Sequence, residues 1–214
     1  MKTPIYVIIL LAAALVAVSV RLAYVSNDSQ AQTLQPMENS VNNDMSALDC
    51  IMTRTSVRAY TDRQVPDSVV ETLLRAGMAA PTAGNKQPWR FVVVQNRAVL
   101  DTLAGVDQYA AFLKMAPLAI VVCGVPAETF PDEGEEYWVQ DCSAASENIL
   151  LAAHAEGMGA VWCGVYPLTE RVEALRKILG LPKELVPLNI ISIGYPRVHQ
   201  QPKDKWDAKK ILRI

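Results

Sequence analysis

Hydrophobic residues form one long run near the N terminus and several shorter runs separated by polar and turn-forming residues. Residues 5–20 are almost unbroken apolar, with Lys2 before them and Arg21 after them. A short basic region followed by an apolar region is typical of an export signal. Extension to residue 25 reaches the length of about 20 residues that spans a bilayer. The pattern predicts either a signal peptide or an N-terminal membrane anchor in residues 1–25, and both alternatives stay open.

Residues 26–46 are rich in Asn, Ser, Gln and Asp and contain few large apolar side chains. Such a composition does not support a packed core, so a flexible polar linker is predicted. Lys2 favours the cytoplasmic side for the short N-terminal end, whereas Arg21 leaves the opposite orientation open. We therefore expect an exported or membrane-anchored bacterial protein on the periplasmic side, with a cytoplasmic location as the alternative. The globular domain is expected over 47–214.

The remainder of the chain alternates between helix-like and strand-like segments. Apolar stripes, Pro and Gly predict helices at 47–53, from Pro66 up to Pro81, at 141–156 and at 169–179. Short apolar runs predict buried strands at 91–94, 118–123, 160–165 and 188–195. Alternation of this kind predicts a layered α/β or α+β domain.

Composition and charge exclude several classes of function. The net charge is −2 and the basic side chains are dispersed, so nothing favours nucleic-acid binding. The four cysteines are Cys50, Cys123, Cys142 and Cys163. None belongs to a CxxC pair, and neither histidine has metal-ligand spacing to them, so no metal site is predicted. Free buried thiols are expected.

Candidate ligand-binding residues cluster in two short segments. Residues 54–58 are Arg-Thr-Ser-Val-Arg, which places two guanidinium groups and two hydroxyls within five residues. Arginine presents a forked set of donors that matches phosphate or a planar acceptor edge. Residues 81–89 form a turn-rich segment of small residues, amides and an aromatic that leads into an apolar strand. Together the segments predict binding of a phosphorylated planar cofactor.

Four segments, taken in order, resemble the signatures of the FMN-dependent nitroreductase family. They are 54–60, 80–91, 157–165, and 193–196 followed by Lys203 and Lys205. Order and spacing agree from about residue 47 to the C terminus. The resemblance implies an α+β layered sandwich with a central, mostly antiparallel sheet flanked by helices. It also implies an intertwined homodimer with FMN at the subunit interface.

The resemblance further implies which residues bind FMN. Arg54 and Ser56 match residues at the phosphate and ribityl end, Lys203 and Lys205 match a basic pair at the same phosphate, and Arg58 matches the cation at the pyrimidine edge. The other matched positions are Thr55, then Pro81, Thr82, Ala83 and Asn85 from the other subunit, and Trp162, Cys163, Gly164 and Val165 along the flavin. Main-chain amides of the last group are expected near the reactive nitrogen.

The implied activity is a ping-pong transfer of electrons from NADH or NADPH, through FMN, to a nitroaromatic, quinone or similar acceptor. A cation at the pyrimidine edge stabilises the anionic reduced ring, so no side-chain nucleophile is required. Two alternatives stay open. One is a flavoenzyme with different chemistry, such as dehydrogenation or reductive dehalogenation, and the other is a non-catalytic, membrane-tethered module that binds a flavin or another ligand.

An acidic segment separates two of the signatures. Its charged residues are Glu128, Asp132, Glu133, Glu135 and Glu136. Two interpretations stay open for residues 126–138, namely a solvated loop and a short lid over the substrate that disfavours anionic acceptors.

Overall fold

The computed structural model describes residues 45–214. The signal peptide or anchor predicted for 1–25, and nearly all of the linker predicted for 26–46, lie outside the described residues. Between residue 45 and the C terminus, no helix combines the length and apolar character needed to cross a membrane.

Helices and strands alternate along most of the described chain. The α-helices are α1 (Ala47–Thr53), α2 (Asp67–Met78), α3 (Arg97–Leu103), α4 (Tyr137–Ala155) and α5 (Thr169–Leu179). The strands are β1 (Trp89–Val94), β2 (Leu118–Gly124), β3 (Gly159–Gly164) and β4 (Val186–Gly194). Short 3-10 helices occupy Ala83–Asn85, Gln108–Lys114, Pro126–Glu128, Asp132–Glu136 and Ala208–Lys210.

The four strands form one antiparallel sheet in the order β1-β2-β4-β3. Helices cover both faces of this sheet. Because successive strand residues point to opposite faces, Leu118 and Ile120 of β2 pack with α2 and α4, whereas Ala119 and Val121 pack with α3 and α5. The predicted α+β layered sandwich is confirmed. β3 lies at an edge of the sheet, and this position exposes its backbone to the segments discussed below.

The predicted helices and strands agree with the structure to within about two residues at each end, except at the start of α4 and at α3. The bounds of α1 and α5 agree at both ends. The prediction that α4 begins at residue 141 was wrong, because Trp138 is 3 % exposed and packs edge-on against Tyr166 with ring centroids 4.8 Å apart, which draws an extra turn into the helix. α3 was not predicted, since a seven-residue helix that buries only Leu100 and Leu103 shows no extended periodicity.

The cysteines behave as predicted. All four are free and buried. Burial raises the pKa of the Cys123 thiol to about 12 and also raises the pKa of Cys142.

Candidate functional site

The segment 54–58 lies along the free edge of β3. Ser56 forms a parallel β-bridge with Ala160, and the N–H of Val57 donates to the Ala160 carbonyl at 3.0 Å. Gly159 permits this close approach, because a Cβ at residue 159 would lie 2.5 Å from the Cβ of Val57. The structure therefore brings the first and third signature segments together.

Side chains alternate along the 54–58 segment. Residues two apart on an extended chain point to the same side. Val57 points into the core, with 6 % of its surface exposed, and Arg58 is exposed. The alternation groups Arg54, Ser56 and Arg58 on the side away from Val57, which explains the spacing of the two arginines in the sequence.

The backbone of β3 offers unpaired donors at the same edge. Alternate residues of an antiparallel edge strand direct N–H and C=O toward the neighbouring strand and away from it. The N–H of Val165 donates to the Leu188 carbonyl at 3.0 Å, so residue 165 faces β4. By alternation, Trp162 and Gly164 direct their N–H groups toward the free edge. A Cβ built at Gly164 meets no atom within 4 Å, so the space beside it is open.

Three charged side chains lie near Cys163, the residue that precedes Gly164 in β3. Burial raises the pKa of the Cys163 thiol, and the Asp107 carboxylate raises it further, whereas Arg171 and Arg58 oppose the rise. Cys163 is 8 % exposed. Two cations and one carboxylate therefore act on the residue that precedes Gly164.

Arg54 caps the C-terminal end of α1 and is oriented by α4. Its Nε lies 3.3 Å from Oε1 of Glu147, and 19 % of its side chain is exposed. An ion pair of this kind orients the guanidinium before any ligand arrives.

A hydrogen-bond chain holds α1 against α4 beside Arg54. The Thr53 hydroxyl donates to the Asp49 carbonyl at 2.6 Å, so it accepts from Nε2 of His154, 2.9 Å away. Desolvation lowers the pKa of His154, and the charge of Arg54 lowers it further. Both effects favour the neutral imidazole next to Arg54, a candidate phosphate-binding residue.

The second signature segment is attached to α4 by Asp141. This residue is 4 % exposed, and its Oδ1 accepts from the N–H of Ala83 at 2.9 Å. Within the loop, Thr82 Oγ1 accepts from the Gln87 N–H at 3.2 Å, and Gln87 donates to Asn85 Oδ1 at 2.8 Å. These bonds fix the turn that carries Pro81, Thr82, Ala83 and Asn85.

The first signature segment, at residues 54–60, and the second, at residues 80–91, lie on different sides of α4 within one chain. Asp141 and Glu147, which hold them, are six residues apart, which corresponds to about 9 Å along a helix axis and about 120° around it. One chain therefore brings residues 54–58 to residues 162–165 and directs residues 81–85 elsewhere.

The acidic segment packs against the loop 81–88. Arg90 pairs with Glu128 at 2.5 Å. The ring of Phe130 covers Gly84, where a Cβ would lie 2.6 Å from the ring, and the Lys86 ammonium lies 5.1 Å from the ring centroid. The effect of the segment on anionic acceptors stays a prediction.

Lys203 and Lys205 lie in an exposed C-terminal tail. The tail begins beside the first signature, because the N–H of Arg197 donates to the Ala59 carbonyl at 3.0 Å. Within residues 45–214, neither lysine has a carboxylate partner within ion-pair distance, so both charges are available to an anion.

Four charged residues that support the site were not predicted. They are Asp107, Asp141, Glu147 and Arg171. Asp141 carried a weak signal, as a carboxylate beside a run of small residues in a buried helix. The others carried none, because their contacts depend on how separate elements pack.

The arrangement fits a ligand that combines an anionic group with a planar acceptor edge. Arg54 and Arg58 supply the cations, Gly164 supplies open space, and β3 supplies main-chain donors. No group of three or more His, Cys, Asp or Glu in the described part of the chain could hold a metal ion.

Comparison with known proteins identifies the family. The profile described as the nitroreductase family matches residues 51–109 and 101–195. The chain belongs to the nitroreductase family. The family predicted from the four signatures is thereby confirmed.

Individual nitroreductase relatives cover most of both chains. A protein of Methanothermobacter thermautotrophicus, provisionally named NADH dehydrogenase/NAD(P)H nitroreductase, is 44 % identical over 167 residues, or 78 % of this chain and 86 % of the relative. A crystal structure with the same provisional name, from Bacteroides thetaiotaomicron, is 47 % identical and has a TM-score of 0.74. The match covers 78 % of this chain and 96 % of the chain in that structure. A protein from Desulfovibrio desulfuricans, provisionally named a nitroreductase and solved in complex with FMN, is 31 % identical and has a TM-score of 0.69. The match covers 78 % of this chain and 96 % of the chain in that structure.

Proposed function

We propose that this nitroreductase is an FMN-dependent oxidoreductase that passes electrons from NADH or NADPH to a nitroaromatic, quinone or similar acceptor in a ping-pong cycle. The observation that carries the proposal is the free edge of β3, where open space at Gly164 adjoins main-chain donors and the Arg54 to Arg58 segment. The relative solved with FMN and the relatives named for NAD(P)H support it.

The residues at the edge have distinct roles in this proposal. FMN, when bound, supplies the two-electron chemistry. Arg54, held by Glu147, binds the phosphate together with Ser56, Lys203 and Lys205. Arg58 supplies positive charge at the pyrimidine edge. The N–H of Gly164 donates toward the ring, whereas the N–H of Val165 is already used by the Leu188 carbonyl.

A homodimer would complete the site. Leu48, Ile51 and Met52 form an apolar face on α1 and are 67 %, 56 % and 69 % exposed, and in the tail Trp206 and Leu212 are 75 % and 89 % exposed. Apolar surface of this kind marks an interaction site. Since residues 81–85 leave α4 on a different side from residues 54–58, we propose that the loop of a second copy reaches the flavin. Light scattering should show a dimer for the wild type and a monomer for Leu48→Glu.

The location of the domain is proposed from sequence alone. A signal peptide or anchor in 1–25 and a linker in 26–46 would place the domain 47–214 outside the cytoplasm, whereas NADH and NADPH are intracellular metabolites. A topology reporter fused after Ile214 tests this placement. A cytoplasmic signal would agree with NAD(P)H as donor, and an external signal would require another donor.

Anaerobic half-reactions test the activity. We expect NADH or NADPH to bleach the flavin band of the purified full-length protein, and a quinone or nitroaromatic added afterwards to restore it. Parallel double-reciprocal plots at varied acceptor concentration would agree with a ping-pong cycle. A bound flavin that neither nicotinamide reduces would contradict the proposal.

A further inference from the structure

The first turn of α5 is connected to the end of β3 by one side chain. Nη1 of Arg171 donates to the Gly164 carbonyl at 3.1 Å, and Nη2 lies 2.7 Å from Oδ2 of Asp107. The side chains of Arg171 and Asp107 are 26 % and 9 % exposed. A buried carboxylate needs a compensating charge, so Asp107 both anchors the guanidinium and depends on it.

This contact fixes a peptide unit on both of its sides. The Gly164 carbonyl and the Val165 N–H belong to one planar peptide. Arg171 binds the carbonyl, and the Leu188 carbonyl accepts from the N–H at 3.0 Å. Glycine has the greatest backbone freedom of any residue, and Gly164 is the last residue of β3. Without Arg171, the carbonyl side of this peptide would lose its hydrogen bond, and only its N–H would stay bonded, to the Leu188 carbonyl.

We propose that Arg171, anchored by Asp107, is a positioning residue that aims the Gly164 N–H at the cofactor. The inference rests on the proposed function, because it assumes that FMN binds at the open edge of β3. By the same alternation the Gly164 carbonyl faces the free edge together with the Gly164 N–H, and Arg171 binds that carbonyl from the first turn of α5. Its contribution is to keep a preformed donor in place, which removes the cost of ordering that donor when the ligand binds.

Arg176 provides a matched control on the same helix. It donates to the carbonyls of Lys183 and Leu185 at 2.7 and 3.2 Å and pairs with Glu173 at 2.6 Å. Its side chain is 18 % exposed. Arg176→Gln therefore removes a similar set of bonds from α5 but leaves the contact with Gly164 intact.

The experiment compares full-length wild type, Arg171→Gln, Arg171→Lys and Arg176→Gln. In Arg171→Gln, hydrogen exchange of the Val165 amide should be about tenfold faster without FMN, because a hydrogen bond from a charged donor is lost. The dissociation constant of FMN should rise by about tenfold, and the visible bands of bound FMN should shift. Arg171→Lys should recover part of each change, since it keeps the charge but loses the fork. Arg176→Gln should match the wild type in Val165 exchange, in the FMN dissociation constant and in the visible bands of bound FMN.

The outcomes separate the inference from the proposed function. Wild type that does not bind FMN overturns the proposed function, whatever the exchange of Val165 shows. Wild type that binds FMN, with unchanged Val165 exchange in Arg171→Gln, overturns the fixing of the peptide. Faster exchange with wild-type FMN affinity and spectrum overturns the positioning role. If Arg171→Gln does not fold, Arg171→Lys is used in its place. Wild-type values of Val165 exchange, FMN affinity and flavin spectrum in Arg171→Lys would then overturn the inference.

Discussion

The N–H of Val57 donates a 3.0 Å hydrogen bond to the carbonyl of Ala160, and this bond joins the cationic segment to the edge strand. The two residues are far apart in sequence, yet the bond sets the register of Ser56 against β3. With Val57 buried, Arg54 and Arg58 stay on the outer side of the segment. Cations and main-chain donors thus share one edge, and this juxtaposition supports the binding of a phosphorylated planar cofactor.

Gly164→Ala tests whether the open space beside β3 is the flavin site. A Cβ at residue 164 meets no atom within 4 Å, so the free energy of unfolding without FMN should change by less than about 0.5 kcal/mol. The dissociation constant of FMN should rise by about tenfold or more, because the methyl group occupies ligand space.

Gly159→Ala is the matched control for that substitution. Its Cβ would lie 2.5 Å from the Cβ of Val57, so the unfolding free energy should fall by about 1–3 kcal/mol even without ligand. Chemical denaturation and FMN titration of both variants give the comparison. Wild-type FMN affinity in Gly164→Ala would place the flavin elsewhere.

Arg54→Gln tests the phosphate site. Loss of a charge-assisted contact should weaken FMN binding by about ten- to hundredfold. Riboflavin, which lacks the phosphate, should lose much less affinity. Arg75→Gln, at an exposed arginine paired with Glu71 on α2, should leave both affinities unchanged. Equal losses for FMN and riboflavin would show that Arg54 does not bind the phosphate.

The sequence predicts the fold and the site to different depths. α5 was predicted with correct bounds because its stripe ends at Gly180, which adopts a left-handed φ of 63°. The Arg54 to Arg58 spacing predicted a ligand-binding segment. Arg171 was not predicted, because its bond to Gly164 depends on how the turn between β3 and α5 folds back. Asp141 and Glu147 likewise gain their roles only when loops pack against α4.

His154 should make stability depend on pH. Its folded-state pKa is lowered below the ordinary value of 6.5, first by desolvation and then by Arg54. The unfolded state therefore binds more protons, and stability falls as the pH drops from 6.5 toward the lowered pKa. The difference in melting temperature between wild type and His154→Gln should shrink as the pH falls across this range, because only the wild type loses stability when His154 is protonated. A constant difference between the two would contradict the expectation.

The four thiols should be unreactive in the native protein. All are buried, and burial raises the pKa values of Cys123, Cys142 and Cys163, which suppresses the reactive thiolate. An aromatic disulfide reagent should label four cysteines in denaturant and none rapidly without it. Rapid labelling of a single native thiol would show that one of these residues is accessible.

Equilibrium titration of the full-length protein with FMN tests the central claim most directly. If the edge of β3 with Arg54, Arg58 and Gly164 forms the cofactor site, flavin fluorescence should change saturably, with one FMN bound per chain. The change should weaken in Arg58→Gln. A protein that shows no saturable change with FMN, or that binds it equally well in Arg54→Gln, Arg58→Gln and Gly164→Ala, would contradict the account.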